Sequence, residues 1–274
     1  MIDIDAYLAR IGYTGSREPD AETLRALHRA HLFSVPFENL DVVLRRPIRL
    51  DPESLMQKMV ANRRGGYCFE SNALFMYAVQ ALGFTVTPLA ARVLWERSDP
   101  ALPPRSHMLL MVDLADGLYL ADVAFGGQTP PQPLSFAVGL EQPTSHETYR
   151  LRRTAEGELE LEALMAGQWG VLYRFTLNAQ QPVDFEHANW YVSTHPDSFF
   201  TQNLIAAIPG EGCRYTLFNR EFRTRWPDGR VETEALNQAG VLVDRLERRF
   251  GVVLSEAERT ALERLPMVSL ESAR

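Results

Sequence analysis

The sequence contains little cysteine and no long apolar run. Its 274 residues include two cysteines, Cys68 and Cys213, which are too few for a disulfide framework and form no CxxC pair of the kind used in zinc or redox sites. No stretch reaches the ~18 consecutive apolar residues that a membrane-spanning helix needs. We therefore treat each cysteine as a single thiol and expect neither a metal nor a membrane partner.

Positive charge is also scarce. The chain has 28 Lys and Arg residues against 35 Asp and Glu, a net charge of −7, and the resulting field repels nucleic-acid backbones and anionic lipids. The first residues, MIDIDAYLARIGY, are acidic where a secretory signal has a basic region, and no apolar core follows them. We expect a cytoplasmic protein that does not bind nucleic acid.

Two motifs of common enzyme classes are absent. No GxGxxG follows a predicted strand and no GxSxG occurs, which disfavours a dinucleotide-dependent enzyme and a serine hydrolase. There is no internal repeat. The composition, with 46% hydrophobic and 23% charged residues, is that of a globular protein, and the length allows one large domain or two to three packed small ones.

The first third of the chain has helical periodicity. Asp20 is an N-cap candidate for a helix that ends before Pro36. A second helix is predicted over residues 51–61. A third begins near Cys68 and ends at Gly83, and we expect it to be buried because it is largely apolar.

After the third helix the apolar period changes to two, which predicts strands. Six such runs over residues 85–177 are broken at short intervals by polar residues or glycine, the spacing of an antiparallel sheet or barrel. Asp116-Gly117 predicts the turn of the hairpin between the second and third runs. A short helix is expected at 185–194, and a final unit combines a hairpin over 214–236 with two helices.

The stretch Arg63-Arg64-Gly65-Gly66-Tyr67-Cys68 is the most informative in the chain. Its two glycines allow a tight turn that brings Cys68 to the first turn of the following helix. Unpaired amides and the helix dipole stabilise a thiolate there, and the two arginines add positive charge if they fold toward the sulfur. Cys68 is thus a candidate nucleophile. The alternative is that Cys68 is a small buried residue that opens a helix. Cys213 has no such setting, and we interpret it as a packing residue.

A thiolate nucleophile needs a histidine and a third group that orients the imidazole. Of the six histidines, His107 begins a predicted strand at the rim of a sheet, whereas the other five have settings typical of packing or surface residues. The returning strand carries Asp122 on the same face. In the ideal register Asp122 opposes Met111, ~13 Å along the strand from His107, so a bulge or a wider loop must bring the two together. Asp113 and Asp116 are rival third members.

Four segments of the chain are similar to the motifs of a known family and occur in the family's order: PFENLD from Pro36, RRGGYCFE from Arg63, LPPRSH ending at His107, and ADVAFGGQTPPQPL from Ala121. Together they resemble the arylamine N-acetyltransferases, and the resemblance in length and layout covers essentially the whole chain. The family typically has DVGFG where this chain has DVAFG, with Ala124 at the changed position.

The resemblance implies a triad of Cys68, His107 and Asp122 on an α+β multidomain fold with a cysteine-protease-like catalytic core. The expected parts are an N-terminal helical bundle with the nucleophile loop, an antiparallel β-barrel with the histidine and aspartate, an interdomain helical segment, and a C-terminal α/β lid, at residues 1–83, 84–185, 186–210 and 211–274. The implied cosubstrate is acetyl-coenzyme A (acetyl-CoA), with no metal.

The resemblance also implies roles for residues whose function the sequence pattern alone does not indicate. Phe37 and Phe125 are expected to line the acyl and arylamine pocket, where aromatic walls stack a planar substrate. Glu38 and Arg64 are expected to pair and hold the cysteine loop, which makes Arg64 a brace rather than a catalytic group.

Coenzyme A is highly anionic, so we expect a local positive surface on this acidic chain. The resemblance implies that Gly126 and Gly127 let the backbone approach the pantetheine or pyrophosphate, the alternative being a turn that ends a strand. The candidate phosphate ligands are arginines around the last predicted hairpin: Arg214, Arg220, Arg223, Arg225 and Arg230. An ordinary solvated strand explains each of them equally well.

The expected reaction is ping-pong transfer of an acetyl group from acetyl-CoA through Cys68 to an arylamine, an arylhydrazine or an N-arylhydroxylamine. The order of cysteine, histidine and aspartate is shared by papain-like and transglutaminase-like enzymes, so a cysteine hydrolase is the main alternative. A non-catalytic module that binds an aromatic ligand is the other. The acceptor amine, the acyl length and the oligomeric state, a homo-oligomer included, stay open.

Overall fold

The computed structural model describes residues 2–97, 99 and 101–264. As the apolar periodicity predicts, its first third is helical, with one short strand: α1 Ile4–Ile11, α2 Ala21–Ser34, β1 Phe37–Glu38, α3 Leu40–Val43, α4 Pro52–Leu55 and α5 Cys68–Ala81. Asp20 caps α2 by accepting a hydrogen bond from the amide of Thr23 at 2.8 Å. The α-helix predicted over 51–61 is shorter than expected, because the chain widens into a π-helix at Met56–Ala61.

Helix α5 is buried at the centre of this region. Eleven of its 14 residues are buried, as its largely apolar sequence predicts. It belongs to one hydrophobic core with Leu24 and Leu27 of α2. Its first half also buries Glu70, Ser71 and Asn72, and buried polar groups of this kind need hydrogen-bond partners.

The middle of the chain forms an antiparallel eight-stranded sheet, in agreement with the period-two pattern. The strands are β2 Thr85–Val93, β3 Arg105–Leu114, β4 Gly117–Ala121, β5 Leu134–Ser135, β6 Gln142–Pro143, β7 Thr148–Arg153, β8 Leu159–Met165 and β9 Gln168–Phe175, in the order β5-β4-β3-β2-β9-β8-β7-β6. The Gln142 side chain exchanges two hydrogen bonds with the backbone of Ser135. Because this contact joins the two edge strands, the sheet is a nearly closed barrel.

The hairpin between β3 and β4 turns one residue earlier than the sequence predicts, which shifts the pairing register of its two strands by two residues. Leu114 pairs with Gly117, so the loop is Ala115-Asp116 and the expected Asp116-Gly117 turn is wrong. Gly117 has φ +138°, a conformation that favours glycine, and it serves as the first residue of the returning strand. Since Ala121 pairs with Leu110, Asp122 comes level with the residue two positions from His107.

A second antiparallel sheet contains strands from both ends of the chain. Its order is β1-β10-β11-β12-β13, where the four later strands are β10 Ile205–Gly210, β11 Cys213–Phe218, β12 Glu221–Arg225 and β13 Val231–Ala235. The remaining helices are α6 Pro182–Thr194, α7 Phe199–Gln202, α8 Ala239–Arg248 and α9 Glu256–Glu263. Leu242 and Leu246 of α8 belong to one hydrophobic core with Phe222 of the sheet. The fold is therefore α+β, and within the described part of the chain no helix is both long and apolar enough to span a bilayer.

Candidate active site

The loop before α5 is packed so closely that only glycine fits in it. A side chain on Gly65 would overlap the carbonyl oxygen of Pro36. Gly66 pairs with the segment of β1: its amide donates to Pro36 O at 3.2 Å, and its carbonyl accepts from the amide of Glu38 at 3.1 Å. This pairing holds Cys68 at the first turn of α5, as predicted, beside the amides at the positive end of the helix dipole.

Arg64 braces this loop. Its Nε and Nη2 donate to Glu38 Oε1 at 3.1 and 2.9 Å, and its Nη1 donates to Oε1 of Glu258 on α9 at 2.5 Å. The amides of Gly65 and Leu40 also donate to Glu38. The pairing of Glu38 with Arg64 that the resemblance implies is confirmed, and the guanidinium charge is neutralised by carboxylates.

His107 follows a β-bulge. The register of β2 and β3 shifts immediately after the pair of Ala91 with His107, which leaves Ser106 without a partner in this ladder. The Ser106 carbonyl oxygen lies 3.7 Å from Cys68 Sγ. Bulges beside sites of chemistry re-aim side chains, and here Cys68 is close enough to His107 to contribute to the raised pKa of its imidazole.

His107 and Asp122 form a buried pair. His107 Nε2 donates to Asp122 Oδ2 at 2.7 Å, and the two residues are 2% and 1% exposed, beside 3% for Cys68. The structure thus brings together the three residues that the sequence selects: the imidazole contacts the carboxylate, and the sulfur lies beside Ser106, the residue before His107.

The contact between His107 and Asp122 sets the charges of this site. Burial disfavours the imidazolium, but the Asp122 carboxylate outweighs burial and raises the pKa of His107 to about 10. Burial likewise disfavours the carboxylate, while His107 and hydrogen bonds from Ala124 and Asn72 hold the pKa of Asp122 below its ordinary value. At neutral pH the pair is imidazolium and carboxylate, and an imidazolium stabilises a neighbouring thiolate.

Sequence reasoning misses two polar residues behind Asp122. Asn72 Nδ2 donates to Asp122 Oδ1 at 3.1 Å, and His28 Nε2 donates to the Asp122 carbonyl oxygen at 3.1 Å. A polar residue within the apolar run of α5 is a signal that identifies Asn72. No local signal identifies His28, because its partner lies 94 residues away in the sequence.

Two aromatic rings pack against the imidazole. The ring centroids of Phe125 and Tyr173 lie 5.0 and 5.1 Å from that of His107, and the two rings contact each other at 5.0 Å. Phe125 is therefore beside the histidine, in a place consistent with its predicted role. Tyr173 on β9 is a residue that the sequence pattern does not select.

Phe37 lies against the nucleophile loop. Its backbone bridges to Gly66, and its ring centroid is 6.2 Å from that of Phe200 on α7. Phe200 also packs on Tyr67 at 5.7 Å. The loop that carries Cys68 is thus lined by aromatic side chains from β1 and α7.

Gly126 and Gly127 form a 3-10 turn after Phe125. Gly126 has φ +71°, in the left-handed region, and a Cβ there would meet nothing within 4 Å. Gly127 faces the protein instead, since its Cβ would lie 2.7 Å from Cγ2 of Thr216 on β11. The turn leaves open space at Gly126 and needs glycine at 127 to approach the second sheet.

The arginines around the last hairpin differ in what they contact. Arg214 is 3% exposed and donates to Glu147 at 2.9 Å and to the Tyr149 hydroxyl at 2.8 Å. The expectation that Arg214 meets a phosphate is wrong, because buried partners already use its donors. Arg225 donates to the carbonyl oxygen of the second glycine of the turn at 3.0 Å, and Arg223 is exposed on the same strand.

The rival candidates lie elsewhere. Asp113 is exposed on β3, and Asp116 accepts a hydrogen bond from the Tyr119 hydroxyl at 2.8 Å. Cys213 is buried at the start of β11, where it pairs with Gly210. In the residues that the structure describes, no group of three or more His, Cys, Asp or Glu side chains is placed to hold a metal ion.

Comparison with known proteins agrees with this geometry. A family model described as N-acetyltransferase matches residues 20–259. The arylamine N-acetyltransferase of Mycobacterium tuberculosis is 42% identical over 267 residues, which cover 96% of this chain and 94% of that protein. A relative from Salmonella typhimurium, named arylamine N-acetyltransferase / N-hydroxyarylamine O-acetyltransferase, is 39% identical over 259 residues, 93% of this chain and 90% of the relative.

The likeness extends to solved structures. The arylamine N-acetyltransferase of Mycobacterium marinum in complex with CoA superimposes with a TM-score of 0.90 at 37% identity, covering 96% of this chain and 99% of that one. Sequence and fold thus agree over nearly the whole length of both proteins. The chain belongs to the arylamine N-acetyltransferase family and is an acetyltransferase.

Proposed function

We propose that the enzyme moves an acetyl group from acetyl-CoA to an arylamine through an acetyl-cysteine at Cys68. The observation that carries this proposal is the buried 2.7 Å contact between His107 and Asp122, next to a cysteine whose Sγ lies 3.7 Å from the carbonyl oxygen of the residue before His107. A thiolate, an imidazole and an orienting carboxylate in this arrangement serve acyl transfer through a thioester.

In the first half-reaction, the Cys68 thiolate attacks the acetyl carbonyl carbon of acetyl-CoA. A carbon–sulfur bond to Cys68 forms, the bond to the coenzyme sulfur breaks, and the His107 imidazolium gives its proton to the departing thiolate. Asp122 keeps the imidazole in the orientation for this transfer. Because one thioester replaces another, the step is nearly balanced in free energy.

In the second half-reaction, the amine nitrogen attacks the acetyl-cysteine. Neutral His107 takes the proton from that nitrogen, and Cys68 leaves as a thiolate. This restores the imidazolium of His107 and the thiolate of Cys68 with which the first half-reaction began. The acetyl-cysteine must be kept from water until the amine arrives. The rings of Phe125 and Tyr173 against His107 support such shielding.

The proposed acceptors are arylamines, arylhydrazines and N-arylhydroxylamines. Phe37 and Phe125 are proposed to stack the aromatic ring of the acceptor, since offset and edge contacts between rings favour planar ligands. The name of the Salmonella typhimurium relative includes N-hydroxyarylamine O-acetyltransferase, which supports the hydroxylamine class.

The proposed coenzyme site lies at the glycine turn. The open space around Gly126 fits a close approach of the pantetheine chain, and Gly127 contributes through the shape of the turn. Arg223 and Arg225 on the neighbouring strand are the proposed phosphate ligands, as charge complementarity to an anionic cosubstrate requires. The CoA complex of the Mycobacterium marinum relative supports a coenzyme site on this fold.

We also propose that successive segments of the chain supply different parts of the active site. Residues 1–83 supply the nucleophile and residues 84–185 supply the histidine and aspartate, as in a cysteine-protease-like core. Residues 186–210 connect them to residues 211–274, proposed as a lid. The cytoplasm is the proposed place of action.

Mass spectrometry after incubation with acetyl-CoA, without an acceptor, tests the proposal. We expect one acetyl group on Cys68, its removal on addition of an arylamine, and no label in Cys68→Ser, because an alcohol is not ionised by this imidazole. Cys213→Ser is the matched control and should be labelled normally. Acetate release without an amine would favour the hydrolase, and an unlabelled protein that binds arylamines would favour the binding module.

A further inference from the structure

Asn72 occupies a place on α5 from which it reaches both other segments of the site. It follows Cys68 by four residues, so the two side chains lie on one face of the helix, one turn apart. It is fully buried. Its amide makes three hydrogen bonds, and all three run to the segments that carry His107 and Asp122.

These contacts have good hydrogen-bond lengths. Asn72 Nδ2 donates to the carbonyl oxygen of Met108, the residue after His107, at 2.8 Å and to Asp122 Oδ1 at 3.1 Å. Asn72 Oδ1 accepts from the amide of Val123 at 3.0 Å. One side-chain amide thus links the start of β3 to the residues that follow β4.

The ladder between β3 and β4 ends before it reaches these residues. Its last pair is Leu110 with Ala121, and Asp122 follows the end of the strand. Asn72 takes over where the ladder stops, because a side-chain amide offers donors and an acceptor as a peptide group does. The separation of His107 and Asp122 therefore depends on a residue from the nucleophile's own helix.

We propose that Asn72 is a positioning residue that sets the contact of His107 with Asp122 for acyl transfer, an inference that rests on the proposed function. It acts through the carboxylate. Asp122 Oδ1 accepts from Asn72 and from the amide of Ala124 at 3.0 Å, which directs Oδ2 to His107. With both oxygens held, the carboxylate cannot rotate, and it fixes the tautomer and direction of the imidazole.

Three titratable groups face Asp122 from the elements around it: His107 on β3, His28 on α2 and Tyr173 on β9. Burial lowers the pKa of His28 to about 4 and raises the pKa of Tyr173 well above its ordinary value. Of these three, His107 alone is charged at neutral pH. The neutral donors, including Asn72, therefore matter for keeping the carboxylate ionised and in place.

The test uses Asn72→Ala and Asn72→Ser in the full chain. Both are expected to lower kcat for arylamine acetylation by about 10- to 100-fold, the loss for a reacting group misplaced by ~1 Å, with a smaller change in KM for acetyl-CoA. The rate of Cys68 alkylation by iodoacetamide is the second readout. Its acidic limb should move to higher pH, since losing a donated hydrogen bond raises the pKa of Asp122 and so weakens the carboxylate partner of the imidazolium beside Cys68.

Asn39 supplies a matched control. It is 2% exposed, its Nδ2 donates to the carbonyl oxygens of Phe200 and Asn203 at 2.9 and 2.7 Å, and its Oδ1 accepts from the amide of Ile205 at 2.7 Å. Asn39→Ala therefore deletes three hydrogen bonds of a buried side chain without touching Asp122. Its alkylation profile should keep the wild-type acidic limb even where its Tm falls as far as that of Asn72→Ala.

Folded Asn72 variants with wild-type kcat and a wild-type acidic limb overturn the positioning role. A loss of activity with an unmoved limb, equalled by Asn39→Ala, also overturns it, because such a loss belongs to a merely structural residue. If Asn72→Ala does not fold, Asn72→Ser decides between the same outcomes. A wild-type protein that acetyl-CoA never labels at Cys68 refutes the proposed function, and with it this role, before any variant is made.

Discussion

Replacement of Arg64 by methionine removes a cation from a group of buried carboxylates. The side chain of Glu38 has no exposed surface and that of Glu258 has 8%, and Arg64 donates hydrogen bonds to both. Methionine is a long, flexible side chain that fills much of the same space. The change therefore leaves two buried negative charges short of their partner rather than an empty cavity.

The expected loss of stability is at the lower end of the range for such a change. Removing one partner of a buried ion pair costs about 3–5 kcal/mol, because the remaining charge is uncompensated. The Arg64 side chain is 5% exposed, so solvent screening takes little from this value. Two backbone amides still donate to Glu38, and Arg46 still pairs with Glu258 at 2.5 Å. We expect about 3 kcal/mol, which lowers Tm by roughly 6–12 °C.

Urea unfolding followed by circular dichroism measures this change. Arg17→Met, which removes a pair with Asp5 whose side chains are 54% and 76% exposed, is the control and should shift stability by less than about 0.5 kcal/mol. Adding Glu38→Gln to Arg64→Met should recover part of the loss, since one uncompensated charge disappears. A loss below about 1 kcal/mol for Arg64→Met, or a double variant less stable than the single one, refutes the role of Arg64 as the cation of this cluster.

Three further changes test other parts of the molecule. Asp122→Asn should fold and lower kcat in a steady-state acetylation assay by at least about 100-fold, because an amide does not hold the imidazole in its working tautomer, whereas Asp113→Asn should keep kcat near wild type. Burial lowers the pKa of His31 from 6.5 to about 3. As the pH falls, the unfolded chain therefore becomes protonated at His31 before the folded chain does. The free energy of unfolding that is present above pH 6.5 is lost as the pH drops below that value. At pH 5 this loss is about 2 kcal/mol, and His31→Gln should lose that much less between pH 7.5 and 5 in denaturant unfolding. Gly127→Ala should cost about 1–3 kcal/mol, because its Cβ would lie 2.7 Å from Cγ2 of Thr216, and adding Thr216→Ser, which deletes that methyl group, should recover stability.

Each of these changes has an outcome that contradicts its reasoning. Equal kcat values for Asp122→Asn and Asp113→Asn would move the orienting role to another carboxylate. An unchanged pH dependence in His31→Gln would mean that this imidazole is not held neutral in the fold. A Gly127→Ala variant that Thr216→Ser does not improve would show that the Thr216 methyl group is not what opposes a side chain at this position.

Structural features that depend only on neighbouring residues in the chain are predictable from the sequence. Asp20 caps its helix as expected, and Ser255 caps α9 in a capping box with Glu258, because a cap depends on residues within one turn. Cys68 at a helix start is predictable for the same reason, since two glycines and the following apolar run are local signals. The strand positions follow from a period of two.

Features that depend on partners far along the chain are not predictable in this way. The Ala115-Asp116 loop differs from the expected turn because the pairing of Leu114 with Gly117 sets the register of the whole hairpin. Arg214 reads as a surface charge, yet its partner Glu147 lies 67 residues away and buries it. His28 likewise finds its partner only once α2 packs against the end of β4.

Strand β1 bears on how the protein is made. Phe37 pairs with Gly66 on one side and with Ala207 of β10 on the other, so the frame of the nucleophile loop includes residues that a ribosome adds long after Cys68. Glu258, which accepts a hydrogen bond from Arg64, is added later still. A nascent chain thus carries its cysteine before it carries the residues that frame the nucleophile loop, and a chain released at residue 204 should react with iodoacetamide like an ordinary peptide thiol. Under the proposed function, such a chain should not take an acetyl group from acetyl-CoA.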